Sequence, residues 1–286
     1  MNPVEYKAIT DYVFHSCGIV LGEDKEYLVK QRLTPILPLL GCQDLSELAR
    51  LFMRGGANFV VREKVVNAMT TNETSWFRDG HPFDAFRDKI LPDLFDLARD
   101  RKNRQWQRRG PKVSIWSAAA STGQEAYSLG ILIADAIRLK GMGTVLMEDF
   151  GILGTDISSD ALSKAMQGKY SILDVGRGLP RDLRDRHFIL NGDYYYVRED
   201  IRKLMEFKMF NIQESFTNIG GFDVIFCRNI LIYFTNEAKK KILSQFYQIL
   251  APGGYMLLGS AENIYNINDE FRTERYGQTT LYRKPQ

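Results

Sequence analysis

VSIWSAAASTGQE, residues Val113 to Glu125, predicts a buried strand, a turn of small residues and the start of the helix EAYSLGILIADAIRLK in immediate succession. The side chains of Ala118, Ala119, Ala120 and Ser121 are short, and Gly123 has none, so a ligand can approach the backbone closely. Such a turn is typical of the entry to a nucleotide-type cofactor site. Taken alone, it is equally compatible with tight packing in any α/β protein.

An acidic residue ends the next predicted strand. The apolar run FGILGT, Phe150 to Thr155, leads into Asp156 and then into the helical sequence SSDALSKAMQG. In nucleotide-binding α/β sheets, a carboxylate at the tip of the second strand accepts hydrogen bonds from the two ribose hydroxyls, and we predict this role for Asp156. The alternative is that Asp156 caps the following helix, although Ser158 and Ser159 are equally able to do so.

Two further strands and a terminal strand complete the predicted sheet. FDVIFC, Phe222 to Cys227, is a third buried strand, and LAPGGYMLLG, Leu250 to Gly259, contains a helix end, a Pro-Gly-Gly turn and a fourth strand. The short strand TTLYRK follows near the end. This order predicts an antiparallel hairpin at the edge of an otherwise parallel sheet, which favours a methyltransferase over a dehydrogenase.

The chain of 286 residues is long enough for two domains. Residues 1–71 predict a small all-helical domain, with helices near Pro3 to Ser16, near Lys25 to Leu40, and over DLSELARLFMR and ANFVVREKVVNAM. No chemistry is predicted for this domain. Its Arg50, Arg54 and Arg62 would form either a basic stripe or an ordinary solvated face.

Residues 72–286 form the second predicted domain, with 72–110 as its polar and aromatic junction. Within it, residues 169–206 do not follow the alternation of strands and helices. We predict that they form a small β-rich insertion near the carboxyl ends of the strands, where ligands bind in such sheets. The alternative is a long structural excursion with no partner.

Composition excludes several classes of protein. With 44% hydrophobic and 26% charged residues, the chain has the balance of a soluble protein, and no apolar stretch reaches the roughly 20 residues of a membrane helix. The start, MNPVEYKAITDYVF, has no basic region leading into an apolar core, so a cytoplasmic location is expected. Three scattered histidines predict no metal site, and three distant cysteines predict buried thiols rather than disulfides or a zinc cluster.

The charge distribution argues against nucleic acid as a partner. The net charge of +3 is small, although RKNRQWQRRGPK, residues 101–112, concentrates six positive charges. We interpret this run as a solvated linker, with a contact to phosphate or to an acidic partner as the alternative. No coiled-coil repeat is visible, so a monomer is expected.

Several motifs together resemble the CheR family of chemotaxis-receptor methyltransferases, and the resemblance covers nearly the whole chain. The motifs are TNETSWFR (71–78), WSAAASTGQEAYS (116–128), GTDIS (154–158), FNI (210–212), FDVIFCRNILIYF (222–234) and LAPGGYMLLG. The resemblance implies an α/β fold of the class I S-adenosylmethionine-dependent methyltransferase type. This fold is Rossmann-like, has a mostly parallel sheet with an antiparallel terminal hairpin, follows a small all-helical domain and carries a small β-rich insertion.

The same resemblance implies an activity and a set of site residues. Family members transfer a methyl group from S-adenosylmethionine to glutamate side chains on the cytoplasmic helices of chemoreceptors. By matching position, Arg78 and Tyr233 are the candidate catalytic residues. The candidate cofactor-binding residues are Asn72, Thr74, Arg78, Glu125, Asp156, Asn211, Ile212, Arg228 and Asn229. Of these, Asn211 and Ile212 would lie along the adenine.

Departures from the family pattern are local. Ala120 stands where a cysteine is usual, Gln124 where a glutamate is usual and Ala126 where a proline is usual. The resemblance also implies that Arg50, Arg54 and Arg62 face the acidic receptor helix. In some family members the region corresponding to 169–206 holds a C-terminal peptide of the receptor.

The predicted chemistry agrees with the residues. A glutamate is already ionised at neutral pH, so methylation of its oxygen needs no strong base. Arg78 would orient the incoming carboxylate or hold the carboxylate of the cofactor, and Tyr233 offers an aromatic face and a hydroxyl beside a cation.

Three other functions are alternatives. An enzyme that methylates amino groups of nucleic-acid bases would carry an N-P-P-Y-like motif where this chain has Arg228-Asn229-Ile230-Leu231, and a nicotinamide oxidoreductase would carry G-x-G-x-x-G. The third alternative is a binding module without catalysis.

Overall fold

The computed structural model describes residues 1–104, 110–140 and 143–286, and it begins with a cluster of helices. These are α1 (Pro3–Cys17), α2 (Glu26–Leu33), α3 (Leu45–Met53) and α4 (Phe59–Met69). Asn2 caps α1 and Asp44 caps α3, each by accepting a hydrogen bond from a backbone N–H three residues later. Ile9, Val29 and Val65 pack fully buried between the helices.

The predicted helix from Lys25 to Leu40 is wrong in length. The α-helix α2 ends at Leu33, and residues Thr34–Leu40 continue as tighter 3-10 turns. Pro35 and Pro38 lie in this stretch, and a proline cannot donate the backbone hydrogen bond that an α-helix requires. Gly41, with a φ of 71°, then ends the segment.

The α/β domain follows, and its elements alternate as expected. In chain order they are α5 (His81–Ala85), a π-helical turn (Phe86–Ile90), α6 (Leu91–Asn103), β1 (Val113–Ala118), α7 (Gln124–Lys140), β2 (Phe150–Asp156), α8 (Ser159–Gln167), β3 (Lys169–Ser171), α9 (Ile172–Gly176), α10 (Arg181–His187), β4 (Phe188–Asn191), β5 (Tyr194–Val197), α11 (Glu199–Arg202), β6 (Met205–Met209), β7 (Phe222–Cys227), α12 (Asn236–Ile249), β8 (Leu250–Leu258), β9 (Arg272–Tyr276) and β10 (Thr279–Arg283).

Within the described residues, seven strands form the main sheet in the order β6-β2-β1-β7-β8-β10-β9. The pairs from β6 to β8 are parallel, whereas β10 is antiparallel to both β8 and β9. The predicted fold class is therefore confirmed, including the antiparallel terminal hairpin. Trp116 on β1 is fully buried and packs against Phe216, Phe222 and Phe246. Apolar packing of this kind covers the sheet and holds the ends of its strands in place.

The predicted turn at Pro252-Gly253-Gly254 is wrong. Strand β8 starts at Leu250, directly after α12, and runs through these residues with a register shift opposite Phe222 to Val224. Gly253 has a φ of 75°, which allows the strand to bulge without turning back.

The insertion is only partly β. Among the described residues, β3, β5 and β4 form a small antiparallel sheet, and α9, α10 and α11 lie between and after these strands. The predicted bounds of 169–206 also extend too far, because β6 begins at Met205 and pairs with β2 in the main sheet. His187 fastens the insertion to α7 through a 2.9 Å contact between its Nε2 and a carboxylate oxygen of Asp135.

The basic run of residues 101–112 is not simply a solvated linker. Residues 105–109, its centre, lie outside the described residues. Arg101 binds both carboxylate oxygens of the buried Asp223, at 2.7 and 2.8 Å, and Lys102 binds the buried Asp149 at 2.6 Å. These two cations therefore tie α6 to the amino ends of the sheet.

Two further expectations concern cysteines and membranes. The three cysteines are buried and free, as predicted. In the described ranges, no helix has the length and apolar character needed to cross a membrane.

Candidate active site

One cavity of about 230 Å³ lies at the carboxyl ends of β1, β2 and β7. One water molecule occupies only about 30 Å³ in the liquid, so the cavity is large enough to admit part of an organic ligand. All ten predicted site residues line it, namely Asn72, Thr74, Arg78, Glu125, Asp156, Asn211, Ile212, Arg228, Asn229 and Tyr233. Residues from five separate motifs are thus brought to one place.

The small-residue turn after β1 forms one wall of this cavity. Ala119 and Ser121 adopt φ values of 65° and 51°, in the left-handed region, and Gly123 has a φ of 95°. A Cβ at Gly123 would approach Ala165 to 2.9 Å and the hydroxyl of Tyr170 to 3.0 Å. The turn therefore needs its glycine for both conformation and packing, and it brings Ala119 and Ser121 to the cavity.

Asp156 presents a buried carboxylate at the tip of β2. One oxygen accepts the backbone N–H of Ser121 at 2.8 Å, and the other accepts that of Ser158 at 2.9 Å. Burial raises the pKa of this carboxyl, and these backbone hydrogen bonds oppose the rise. Each oxygen retains a lone pair, so the carboxylate can also accept from a ligand hydroxyl. The Ser158 hydroxyl accepts the N–H of Ala161 and caps α8, so the capping role falls to Ser158.

Replacement of Asp156 by alanine is expected to weaken the binding of S-adenosylhomocysteine by about 1–3 kcal/mol, because charge-assisted hydrogen bonds to the ribose would be lost. Titration calorimetry measures the change. Asp160→Ala is the matched control, since Asp160 is an exposed carboxylate on the first turn of α8. Equal affinities for the wild type and Asp156→Ala would remove Asp156 from the ligand site.

The same carboxylate predicts a pH dependence. If Asp156 binds the ribose as predicted, its ionised form would accept the hydroxyl protons, so affinity should fall as the pH is lowered through the raised pKa of this group. The fall should begin above the ordinary aspartate value of about 3.9. Affinity measured by calorimetry between neutral and mildly acidic pH should show this slope for the wild type and lose it in Asp156→Asn.

A buried ion-pair network lies beneath the cavity. Glu125 accepts the hydroxyl of Ser117 at 2.8 Å through one oxygen and Nη1 of Arg228 at 3.0 Å through the other. Nη2 of Arg228 donates to the Asp79 carboxylate at 2.7 Å and to the carbonyl of Arg78 at 2.8 Å. Burial raises the pKa of Glu125, and the Arg228 charge opposes this.

The side chain of Arg228 is only 1% exposed, and its Nε has no hydrogen-bond partner among the described residues. A buried donor without a partner is costly. Arg228 therefore neutralises Glu125 while one of its own donors stays unpaired among the described residues.

The junction after α4 supplies the opposite wall. The hydroxyl of Ser121 donates to the carbonyl of Asn72 at 2.9 Å, and the amide of Asn72 donates to the hydroxyl of Ser158 at 3.3 Å. Arg78 donates to the carbonyl of Glu73 at 3.1 Å. The polar junction predicted from sequence is thus held against the ends of β1 and β2, with the guanidinium of Arg78 on the cavity.

The remaining predicted residues follow β6 and β7. Asn211 donates to the carbonyl of Ser16 at 3.3 Å and accepts the N–H of Gln213 at 3.0 Å. Ile212 is largely buried and presents an apolar surface. Asn229, with a φ of 60°, turns the chain out of β7, and Tyr233 ends the 3-10 turn that follows.

Sequence reasoning missed a wall contributed by the helical domain. This wall consists of Cys17, Ile19, Val20, Leu21, Lys25, Leu28 and Arg32. Arg32 also donates to the carbonyls of Met69 and Thr70 and to the hydroxyl of Thr71, which fixes the link between the domains. The apolar run Ile19-Val20-Leu21 between two helices is the signal that could have indicated it.

Arg50, Arg54 and Arg62, for which the sequence leaves a basic stripe and a solvated face both open, do not line this cavity. Arg50 and Arg54 are exposed on and just after α3, whereas Arg62 donates to the carbonyl of Ser16 at 3.2 Å. The cations that the helical domain contributes to the cavity are Lys25 and Arg32. In the described part of the chain, no group of three or more potential metal-ligating side chains is present.

Comparison with known proteins gives one consistent family. Residues 4–70 match the family model described as "CheR methyltransferase, all-alpha domain", and residues 72–279 match "CheR methyltransferase, SAM binding domain". Chemotaxis protein methyltransferase 1 of Vibrio cholerae is 39% identical over 280 residues, covering 98% of this chain and 96% of that protein. Chemotaxis protein methyltransferase 1 of Pseudomonas aeruginosa is 38% identical over 282 residues, covering 98% and 97%. The chemotaxis protein methyltransferase of Salmonella typhimurium is 32% identical over 284 residues, covering 98% and 90%.

Proposed function

The chain belongs to the CheR methyltransferase family, and from this premise we propose that it methylates the side-chain carboxylates of glutamates on the cytoplasmic helices of chemoreceptors. Membership makes it an S-adenosylmethionine-dependent methyltransferase of chemotaxis. The proposal goes further in four respects: the acceptor is a glutamate, the product is a methyl ester, the protein is cytoplasmic and it is a monomer.

The cavity is the observation that carries the proposal, because its residues fit the cofactor. Asp156 would accept the ribose hydroxyls, Asn211 and Ile212 would contact the adenine, and the polar atoms of Arg228 and Asn229 would face the amino-acid end. When bound, S-adenosylmethionine supplies an electrophilic methyl group on a sulfonium.

The residues of the chain then have to bind, orient and shield the acceptor. A glutamate with a pKa near 4.3 is ionised at neutral pH and needs no general base. In agreement, no histidine is among the described residues that line the cavity. Arg78 offers a cation that can pair with a carboxylate, and Tyr233 offers a hydroxyl and a ring beside the methyl position. Their task is alignment and exclusion of water.

The receptor would contact surfaces outside the cavity. Lys25 and Arg32 line the cavity, and Arg50, Arg54 and Arg62 are exposed on the helical domain. These cations are the proposed contacts for an acidic receptor helix. The edge strand β4 exposes Ile189 and Leu190, so the small sheet is the proposed place for a receptor's C-terminal peptide.

The test starts with titration calorimetry of the purified protein with S-adenosylmethionine and S-adenosylhomocysteine. Labelled methyl transfer to receptor-bearing membranes from the same cell follows. Base-labile label on the receptor, lost when the acceptor glutamates are replaced by alanine, is the expected result. Binding without label would indicate another acceptor or a sensing role, and no binding would contradict the assignment of the site.

A further inference from the structure

Glu262 binds the protein's own backbone beside the cavity. One of its carboxylate oxygens accepts the N–H groups of Asn229 and Gly259, each at 2.7 Å. The other accepts the N–H of Leu231 at 2.7 Å and that of Ile232 at 3.3 Å. The side chain thus occupies a nest of backbone donors of the kind that binds anions. Neither the motifs nor the family resemblance identified Glu262 as a site residue.

The segment held in this way is one wall of the cavity. Arg228, Asn229, Ile230, Tyr233 and Phe234 all line it. Asn229 adopts a left-handed conformation with a φ of 60°, which asparagine tolerates better than most residues other than glycine. Glu262 accepts the N–H of Asn229 and that of Leu231, and Leu231 begins the 3-10 turn that ends at Tyr233.

Packing around Glu262 leaves little room for another arrangement. A Cβ added to Gly259 would lie 2.7 Å from a carboxylate oxygen of Glu262 and 2.8 Å from the backbone nitrogen of Asn229. Gly259 directly follows β8, and Asn229 lies two residues after the end of β7. The carboxylate therefore joins the ends of two neighbouring strands through backbone atoms alone.

We propose that Glu262 is a positioning residue for methyl transfer, which acts by fixing the backbone that carries Asn229 and Tyr233. This inference rests on the proposed function and deepens it. An in-line transfer depends on alignment, and a shift of about 1 Å in a positioning group lowers the rate by about 100-fold. Glutamine keeps the size of the side chain but replaces one accepting oxygen with an NH₂ donor, so one pair of backbone N–H groups would face a donor.

Asp149 provides the matched control. Its buried carboxylate accepts the backbone N–H of Leu146 at 2.7 Å and Nζ of Lys102 at 2.6 Å. It precedes β2 at the amino end of the sheet, opposite the end that carries the cavity. Asp149→Asn should therefore destabilise the protein without disturbing the wall formed by residues 228–234.

The experiment compares the wild type with Glu262→Gln, Glu262→Asp and Asp149→Asn. It measures kcat and KM for receptor methylation, the Kd of S-adenosylhomocysteine, and hydrogen exchange of the amides in residues 228–234. Glu262→Gln should lower kcat by about 100-fold and speed exchange in this segment, with KM for the receptor within about threefold of the wild type. Glu262→Asp keeps the charge and should recover part of kcat. If the glutamine variant does not fold, the aspartate variant alone is compared with the wild type.

Several outcomes overturn the inference. A Glu262→Gln enzyme with kcat within about threefold of the wild type would do so, as would an equal loss of kcat in Asp149→Asn. Absence of receptor methylation by the wild type would instead contradict the proposed function. Hydrogen exchange would then decide whether Glu262 holds the segment, and unchanged exchange in Glu262→Gln would show that it does not.

Discussion

Arg78→Ala is expected to lower receptor methylation by at least about 100-fold while the protein stays folded, because a cation that orients a carboxylate at the reacting centre is lost. Arg78 lines the cavity, and among the described residues its side chain donates to the carbonyl of Glu73. Its backbone carbonyl, which accepts from Arg228, remains in the variant. Single-turnover transfer of labelled methyl measures the loss of activity, and thermal unfolding shows whether the variant is folded.

Two further variants separate the possible roles of Arg78. Arg87→Ala is the control, because Arg87 pairs with Asp84 and Asp88 and is not among the described residues of the cavity wall. Arg78→Lys keeps the charge but not the planar fork, so a large loss in this variant indicates bidentate binding of a carboxylate. A changed Kd for S-adenosylhomocysteine assigns the contact to the cofactor, whereas a changed receptor KM assigns it to the acceptor. Near-normal transfer by folded Arg78→Ala would exclude Arg78 from the site.

Arg228→Ala is expected to lower the free energy of unfolding by about 3–5 kcal/mol, because it leaves the buried carboxylate of Glu125 without its ion-pair partner. The Arg228 side chain is almost fully buried, and Asp79 loses the same partner. Urea unfolding at neutral pH measures the change, which should exceed that of a surface arginine such as Arg87.

A second substitution tests this explanation. Glu125→Gln in the Arg228→Ala background removes the unpaired charge and should restore part of the lost stability. Lowering the pH should also restore part of the stability that Arg228→Ala loses. Burial already raises the pKa of Glu125, and loss of Arg228 raises it further. As the pH falls through that raised value, the folded state takes up the proton before the unfolded state does, so the deficit shrinks. If the loss of stability in Arg228→Ala changes neither with pH nor with Glu125→Gln, lost packing would be its cause instead.

The positions of the main site residues follow from the sequence because they lie at strand ends. Asp156 ends β2 and Ser121 lies in the turn after β1, and parallel strands bring their carboxyl ends to one edge of a sheet. The motif that contains Arg228 and Asn229 could be placed by the same rule. The Pro-Gly-Gly segment of β8 could not, because the choice between a turn and a bulge depends on how the neighbouring strand β7 pairs with it.

Contacts between distant parts of the chain were harder to predict. Glu262 carries no local signal, since three of its four backbone donors lie 30 or more residues earlier in the sequence. The wall formed by Ile19, Val20 and Leu21 depends on how the helical domain packs on the α/β domain, and periodicity within either domain does not encode that packing. The break of α2 was readable in principle from Pro35 and Pro38, but the apolar spacing across them continued the helical pattern.

The contact between the end of α1 and the segment after β6 limits the modularity of this protein. Asn211 donates to the carbonyl of Ser16, and Gly18 lies against the side chain of Gln213. A chimera that exchanges residues 1–71 with those of a relative would therefore bring a foreign surface into the cavity. Grafts that retain residues 16–32 and α4, whose Met69 also lines the cavity, and that exchange only α3 would keep this wall native.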